Sequence, residues 1–280
     1  MTPYKIQVKN VVKVFGARWR QALRLLRDGA GKAEVLAQTG CTIGLHDVSL
    51  NIEAGEIFVI MGLSGSGKST LVRHFNRLIE PSAGTILIDG QDVLAMSERA
   101  LRELRRHHIS MVFQGFGLLP QQTVLDNAAY GLLTRGEPGP SARASARAWL
   151  ERVGLRGYED QYPDQLSGGM RQRVGLARAL AADTEVLLMD EAFSALDPLI
   201  RDDMQDQLLT LQATLRKTII FITHDLDEAL KLGDHIAILR DGRLVQVGTP
   251  EQILAAPADD YVRKFVEKRA HAATPAHETR

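Results

Sequence analysis

Gly62-Leu63-Ser64-Gly65-Ser66-Gly67-Lys68-Ser69 reads G-x-x-x-x-G-K-S/T, the pattern of a phosphate-binding loop. Its flanks match that pattern. The apolar run Phe58–Met61 precedes it as a buried strand, and Thr70–Leu78 follows with helical periodicity. In a strand–loop–helix unit the glycines let the backbone turn tightly and aim its N–H groups at phosphate oxygens. The start of the helix adds a partial positive charge. Lys68 then reaches the β- and γ-phosphates, and the Ser69 hydroxyl is placed to ligate Mg²⁺. A glycine-rich turn that binds nothing is the plain alternative, and it leaves the matching flanks unexplained.

The rest of the chain narrows the class. At 280 residues it can bury a full core and holds one or two domains. Composition is that of a globular protein, 45% hydrophobic and 24% charged. Lys+Arg and Asp+Glu balance at 34 each, which argues against nucleic acid as the main partner. Cys41 is the only cysteine, so an internal disulfide is excluded and a reducing compartment fits. No apolar run nears the length of a membrane span, and Met1–Asn10 lacks a signal-peptide core. The expectation is a cytosolic protein whose membrane role, if any, comes through a partner.

Outward from the loop toward the N-terminus, Lys5–Val14 alternates as a strand and ends at Phe15-Gly16. Phe15 is open between two readings, a core residue and an aromatic face for stacking an adenine. Ala17–Lys32 predicts a short basic amphipathic helix whose pattern is ended by Gly29 and Gly31. Trp19, Ala22, Leu23 and Leu26 form its apolar stripe, and Arg18, Arg20, Arg24 and Arg27 its charges. Packing on its own domain is the favoured reading, contact with a membrane surface or partner helix the sharper one. Leu45–Glu53 and Thr85–Asp89 are further strands, the second followed by an Asp89-Gly90 turn.

From Ser97 to Ala182 the pattern turns helical. Helices are predicted over Ser97–Arg106, Thr123–Leu133, Ser141–Val153 and Ser167–Ala181, with Ile109–Phe113 a short apolar run between them. This reads as a helical subdomain inserted in an α/β core. Gln114 lies where the two join. Its amide can offer oxygen to Mg²⁺ or to an attacking water, although a surface-loop role is the favoured reading of the residue alone. His107-His108 lacks ligand spacing and reads as a surface pair. In Leu166-Ser167-Gly168-Gly169-Met170, Ser167 can cap a helix whose bare N–H groups would make a second anion site. Two phosphate sites in one chain make sense if they face each other across a dimer.

Val186–Met189 is an apolar strand ending in Asp190-Glu191. Asp190 is placed to hold Mg²⁺, and Glu191 to polarise water. Ser194–Pro198 turns into a helix with Pro198 in its first turn. Thr218–Ile222 is a β-branched strand followed by Thr223-His224-Asp225. His224 gains a γ-phosphate-sensing role only as part of this set.

Taken in order and spacing, Gly62–Ser69, Gln114, Leu166–Met170, Val186–Glu191, Ser194–Asp197 and His224 resemble the ATP-binding subunits of ABC transporters over roughly residues 4–267. The resemblance implies a RecA-like phosphate-loop α/β core with an antiparallel β subdomain and a helical subdomain, about 95–182, inserted in it. It implies that two copies sandwich two ATPs with Mg²⁺. Phe15, Gly62, Ser64, Gly65, Ser66, Gly67, Lys68, Ser69, Thr70, Gln114, Asp190 and His224 would serve the nucleotide from one copy. Ser167, Gly168, Gly169 and Met170 would serve it from the other. It assigns Mg²⁺ to Ser69, Gln114 and Asp190, the catalytic base to Glu191, charge stabilisation to Lys68, the phosphate switch to His224 and coupling to Gln114.

Phe75-Asn76-Arg77-Leu78-Ile79-Glu80-Pro81, Met189–Ile200 and the insert Ala17–Gly44 are similar to the glycine betaine/proline betaine importer group. That likeness implies a homodimer bound to integral membrane permease subunits at the cytoplasmic face of the inner membrane, served indirectly by a substrate-binding protein. Residues 268–280 read as a disordered tail with no C-terminal CBS pair, which leaves osmotic gating open. The rival expectation is a soluble ABC ATPase acting on nucleic acid, the ribosome or cofactor assembly.

Overall fold

The computed structural model describes residues 4–194 and 196–273, in two compact units. One unit is built from the chain up to Glu53, from Ile57–Leu94 and from Thr223 onward. The other is Ala54–Glu56 with Ala95–Ile222.

The first unit opens with β1 (Tyr4–Phe15), α1 (Trp19–Arg27), α2 (Lys32–Thr39) and β2 (Thr42–Glu53). Then come β3 (Ile57–Met61), α3 (Lys68–Phe75), β4 (Ala83–Ile88) and the two-residue β5 (Gln91–Asp92). An antiparallel sheet runs β2-β1-β4-β5. Ile6, Val8, Val11 and Val14 of β1 are buried. Register shifts on both sides of β1 between Val8 and Val12 mark an irregularity there, and Asn10 adopts φ +50°. The expected short basic helix forms as α1, and the helix after it is not foreseen from the sequence. α1 stops at Arg27, Asp28–Gly31 turns, and a second helix, α2, follows. Gly40 ends α2 in the left-handed conformation. The apolar stripe of α1 faces inward. Ala22 and Leu26 join Val14, Val35, Cys41 and Ile43 in one cluster, with Trp19 partly buried against it. The helix therefore packs on its own unit.

The second unit carries α4 (Glu98–Glu103), β6 (Ile109–Val112), α5 (Val124–Thr134), α6 (Gly139–Arg152) and α7 (Gly168–Ala181). β7 (Val186–Asp190), α8 (Pro198–Leu215) and β8 (Thr218–Thr223) follow. Ser97, Thr123, Ser167 and Asp197 cap α4, α5, α7 and α8, each accepting a backbone N–H with its side chain. α4 widens into a π-turn over Leu104–His108, where His107 and His108 are exposed. α5, α6 and α7 pack on one another. β6, β7 and β8 run parallel, and β7 and β8 are buried at every position, as strands covered on both faces must be.

The first unit resumes with α9 (Leu226–Leu232), β9 (His235–Arg240), β10 (Arg243–Gly248), α10 (Pro250–Ala255) and α11 (Asp260–Ala273). β3 pairs parallel with β9, and β9 pairs antiparallel with β10. α11 continues past residue 267, the boundary at which a disordered tail was expected, while 274–280 lie outside the described residues. Among the described residues, no helix is long and apolar enough to cross a membrane.

Candidate nucleotide site

In the first unit, β3 delivers the chain to Gly62, whose φ is +155°. A Cβ there would sit 2.3 Å from the Leu239 carbonyl oxygen, so only glycine fits between the loop and β9. The loop is braced from within and from behind. Ser66 N–H donates to Leu63 O (3.1 Å), and Gly242 N–H of the β9–β10 turn donates to Ser66 O (2.9 Å). Leu63 N–H donates to Tyr261 Oη of α11 (3.3 Å).

Gly67 stands at the N-terminus of α3 with φ +102° and no side-chain cap. Gly67 has no side chain with which to cap the first amides of the helix. Lys68 is 4% exposed, and its Nζ donates to the carbonyls of Gly62 (2.8 Å) and Leu63 (3.0 Å). Ser66 Oγ is buried with no hydrogen-bond partner. An orphaned hydroxyl, a buried ammonium and the start of a helix in one loop suit a phosphate. Ser64 and Gly65 are exposed, and Ser69 and Thr70 are half-buried in the first turn of α3.

Phe15 is 40% exposed, which disfavours the core reading. Its ring lies against Gly44, where a Cβ would come within 2.6 Å of the ring edge. The Lys13 ammonium sits 5.0 Å from the ring centroid while donating to Glu80 O (2.6 Å). His224 is exposed just beyond β8, before the Asp225 cap of α9.

In the second unit, β7 ends at Asp190, which is fully buried. Glu191 then turns left-handed at φ +48°, rare for a residue with a Cβ. Its carbonyl accepts from Ser194 N–H (3.2 Å) and Ser194 Oγ (2.9 Å). Its carboxylate accepts from Gln114: Nε2 to Oε2 is 2.9 Å. Gln114 is thus exposed, as a loop residue is, and at the same time bound to Glu191.

Ser167 Oγ accepts from Met170 N–H at 3.2 Å, closing the first turn of α7. Ser167, Gly169 and Met170 line a cavity of about 430 Å³ with Asp197 and Arg173. The carboxylate of Asp190 and the hydroxyl of Ser69 are hard oxygen donors, the chemistry Mg²⁺ takes. Among the described residues, no cluster of three or more His, Cys, Asp or Glu side chains could hold a metal by itself.

Three supporting groups escaped the reading of the sequence: Lys13, Gly242 and Tyr261. Of these, only Asp241-Gly242 carries a local signal, a hairpin turn dipeptide between two apolar runs.

A family profile described as ABC transporter matches residues 45–194. The glycine betaine transport ATP-binding protein OpuAA of Bacillus subtilis is 58% identical over 95% of this chain and 63% of its own length. The glycine betaine/proline betaine ATP-binding protein ProV of Escherichia coli is 57% identical over 93% and 65%. The chain thus spans less than two thirds of the length of these two relatives. The trimethylamine N-oxide transport ATP-binding protein TmoW of Ruegeria pomeroyi is 52% identical, over 94% of this chain and 77% of its own. Among solved structures, the ATP-binding cassette MJ0796, a dimer bound to ADP and Pi, aligns with TM-score 0.75 and 31% identity. That alignment covers 88% of this chain and 98% of the cassette. The parallel and antiparallel strands, the helices packed beside them and these matches agree: the chain has the ABC ATPase fold and belongs to the ABC transporter family.

Proposed function

We propose that this chain hydrolyses ATP to drive an importer of glycine betaine, proline betaine or related quaternary amines such as choline and carnitine. Relatives named for glycine betaine, proline betaine, carnitine, choline and trimethylamine N-oxide transport support the substrate class. The chain would act as a homodimer on permease subunits at the cytoplasmic face of the inner membrane. A solved relative that is itself a dimer supports that state.

One observation carries the catalytic part. Two side chains 77 positions apart in sequence, Gln114 and Glu191, meet at 2.9 Å where β7 ends in a carboxylate. Glu191 is the base: its carboxylate takes the proton of the attacking water, and the Gln114 amide holds the carboxylate in place. Lys68 leaves the loop carbonyls for the phosphates, where its charge and the α3 amides offset the charge that develops on the transferred group. Ser66 Oγ finds there the partner it lacks. Ser69 and Asp190, with Gln114, would hold Mg²⁺, which when bound supplies positive charge against the phosphate oxygens. Phe15 stacks the adenine, His224 contacts the γ-phosphate, and Ser167–Met170 of a second copy close the site.

The test is Glu191→Gln in the full chain. Hydrolysis should fall about a hundredfold or more while ATP still binds. Hydrolysis at the wild-type rate would remove Glu191 from this role. Co-purification with a permease tests the transport assignment, and co-purification with ribosomes or nucleic acid would reject it.

A further inference from the structure

The segment that carries Gln114 does not rest in a relaxed conformation. Phe116, a bulky residue, has φ +63°, and Gly117 follows at +59°. Two consecutive left-handed residues with a Cβ on the first are unfavourable unless the surroundings impose them. The segment's own bonds are short-range: Phe116 N–H donates to Phe113 O (3.1 Å) and Gly117 N–H to Gly115 O (2.7 Å). What imposes the conformation comes from α7. Arg178 donates from Nη1 to Gly117 O (2.7 Å) and from Nη2 to Phe116 O (3.2 Å). Its planar fork spans two successive carbonyls from two separate nitrogens held in one plane, a rigid fit that a flexible ammonium on a single nitrogen lacks. Burial lowers the pKa of this guanidinium from its ordinary value, so the charge is held out of water against those carbonyls. About two turns nearer the start of α7, the Arg171 guanidinium lies 5.2 Å from the centre of the Phe116 ring. Gly175, between them on the helix, lies against the same segment: a Cβ there would be in ordinary contact with Phe116 O at 3.5 Å.

We propose that Arg178 is a positioning residue for hydrolysis. It clamps Phe116-Gly117 to α7 and so holds the Gln114 amide on the Glu191 carboxylate. Arg171 assists by pinning the Phe116 ring. The two arginines tie the helix that begins at Ser167 to the loop that orients the base. This rests on the reading of Glu191 as the base.

The experiment compares Arg178→Met, Gln114→Ala and the double variant in the full chain. It measures steady-state hydrolysis, equilibrium binding of a fluorescent ATP analogue and thermal unfolding. Arg178→Met should lower kcat about tenfold or more, as a displaced catalytic group does, with nucleotide affinity changed less than twofold. In the Gln114→Ala background it should cause no further loss, because the group it positions is gone. Equal losses in both backgrounds, or a lower unfolding temperature with kcat unchanged, would overturn the proposal. If Arg178→Met does not fold, Arg171→Met gives the same comparison: a smaller loss in kcat that vanishes beside Gln114→Ala supports the clamp, and an undiminished one rejects it. Glu191→Gln run in parallel separates the two readings: if it stays active, the base assignment fails, and the Arg178 result then reports only on the loop.

Discussion

At the scale of single residues, charge and burial decide what can be tested. Lys68 is buried and donates to two loop carbonyls. Lys68→Ala should weaken ATP binding by about 1.5–3 kcal/mol, the worth of hydrogen bonds to charged groups, and lower turnover as well. Titration calorimetry checks the first and a phosphate-release assay the second. His74, on α3 behind the loop, is fully buried, and its Nδ1 bonds Ile79 O at 2.7 Å while Nε2 has no partner. Burial pushes its pKa down to about 4. A depressed histidine stays neutral in the fold but protonates in the unfolded chain near pH 6.5, so its contribution to stability is whole above that value and is lost as pH falls toward 4. Urea unfolding of the wild type should lose about 3 kcal/mol from this group across that window. His74→Leu should show a slope shallower by one proton, and an unchanged slope would show that His74 titrates normally.

At the scale of elements, caps and stripes were the legible part. Ser97, Thr123 and Ser167 each cap the helix expected after them, because a hydroxyl before an apolar-periodic run is a local signal. Ser167→Ala should cost about 1 kcal/mol in unfolding free energy through the lost Met170 N–H bond. The face of α1 was legible too, but its purpose was not. A basic amphipathic helix suits a membrane, a partner or its own core equally well. The choice came from Val14, Val35, Cys41 and Ile43, on elements before and after it. Leu26→Ala should therefore destabilise the chain by about 2 kcal/mol, a loss a lipid-facing leucine would not show. α2 was missed because Lys32–Thr39 is short and has a weak stripe, so its order depends on Val35 reaching that same cluster.

At the scale of the whole molecule, the proposed function requires two copies. In the Glu191→Gln variant with ATP, light scattering should report a dimer, and without ATP a monomer. Wild-type activity per chain should rise with protein concentration, since a second copy supplies Ser167–Met170. A specific activity independent of dilution, with a monomer throughout, would remove the shared site.

The glycine-rich stretch Gly62–Ser69, the acids Asp190 and Glu191 at the end of β7, the helix starts and the family were legible from the chain alone. Each is a short stretch whose chemistry depends on neighbours within a few positions, so spacing suffices to read it. Only the tertiary structure decided which side of α1 is buried, that Gln114 meets Glu191, and that Arg178 and Lys13 stand behind the loop and the ring they support. Those are contacts between residues far apart in the chain. Nothing local to an arginine or a glutamine states which backbone will be folded against it, because burial and hydrogen-bond geometry are set by elements that meet only once the chain has closed.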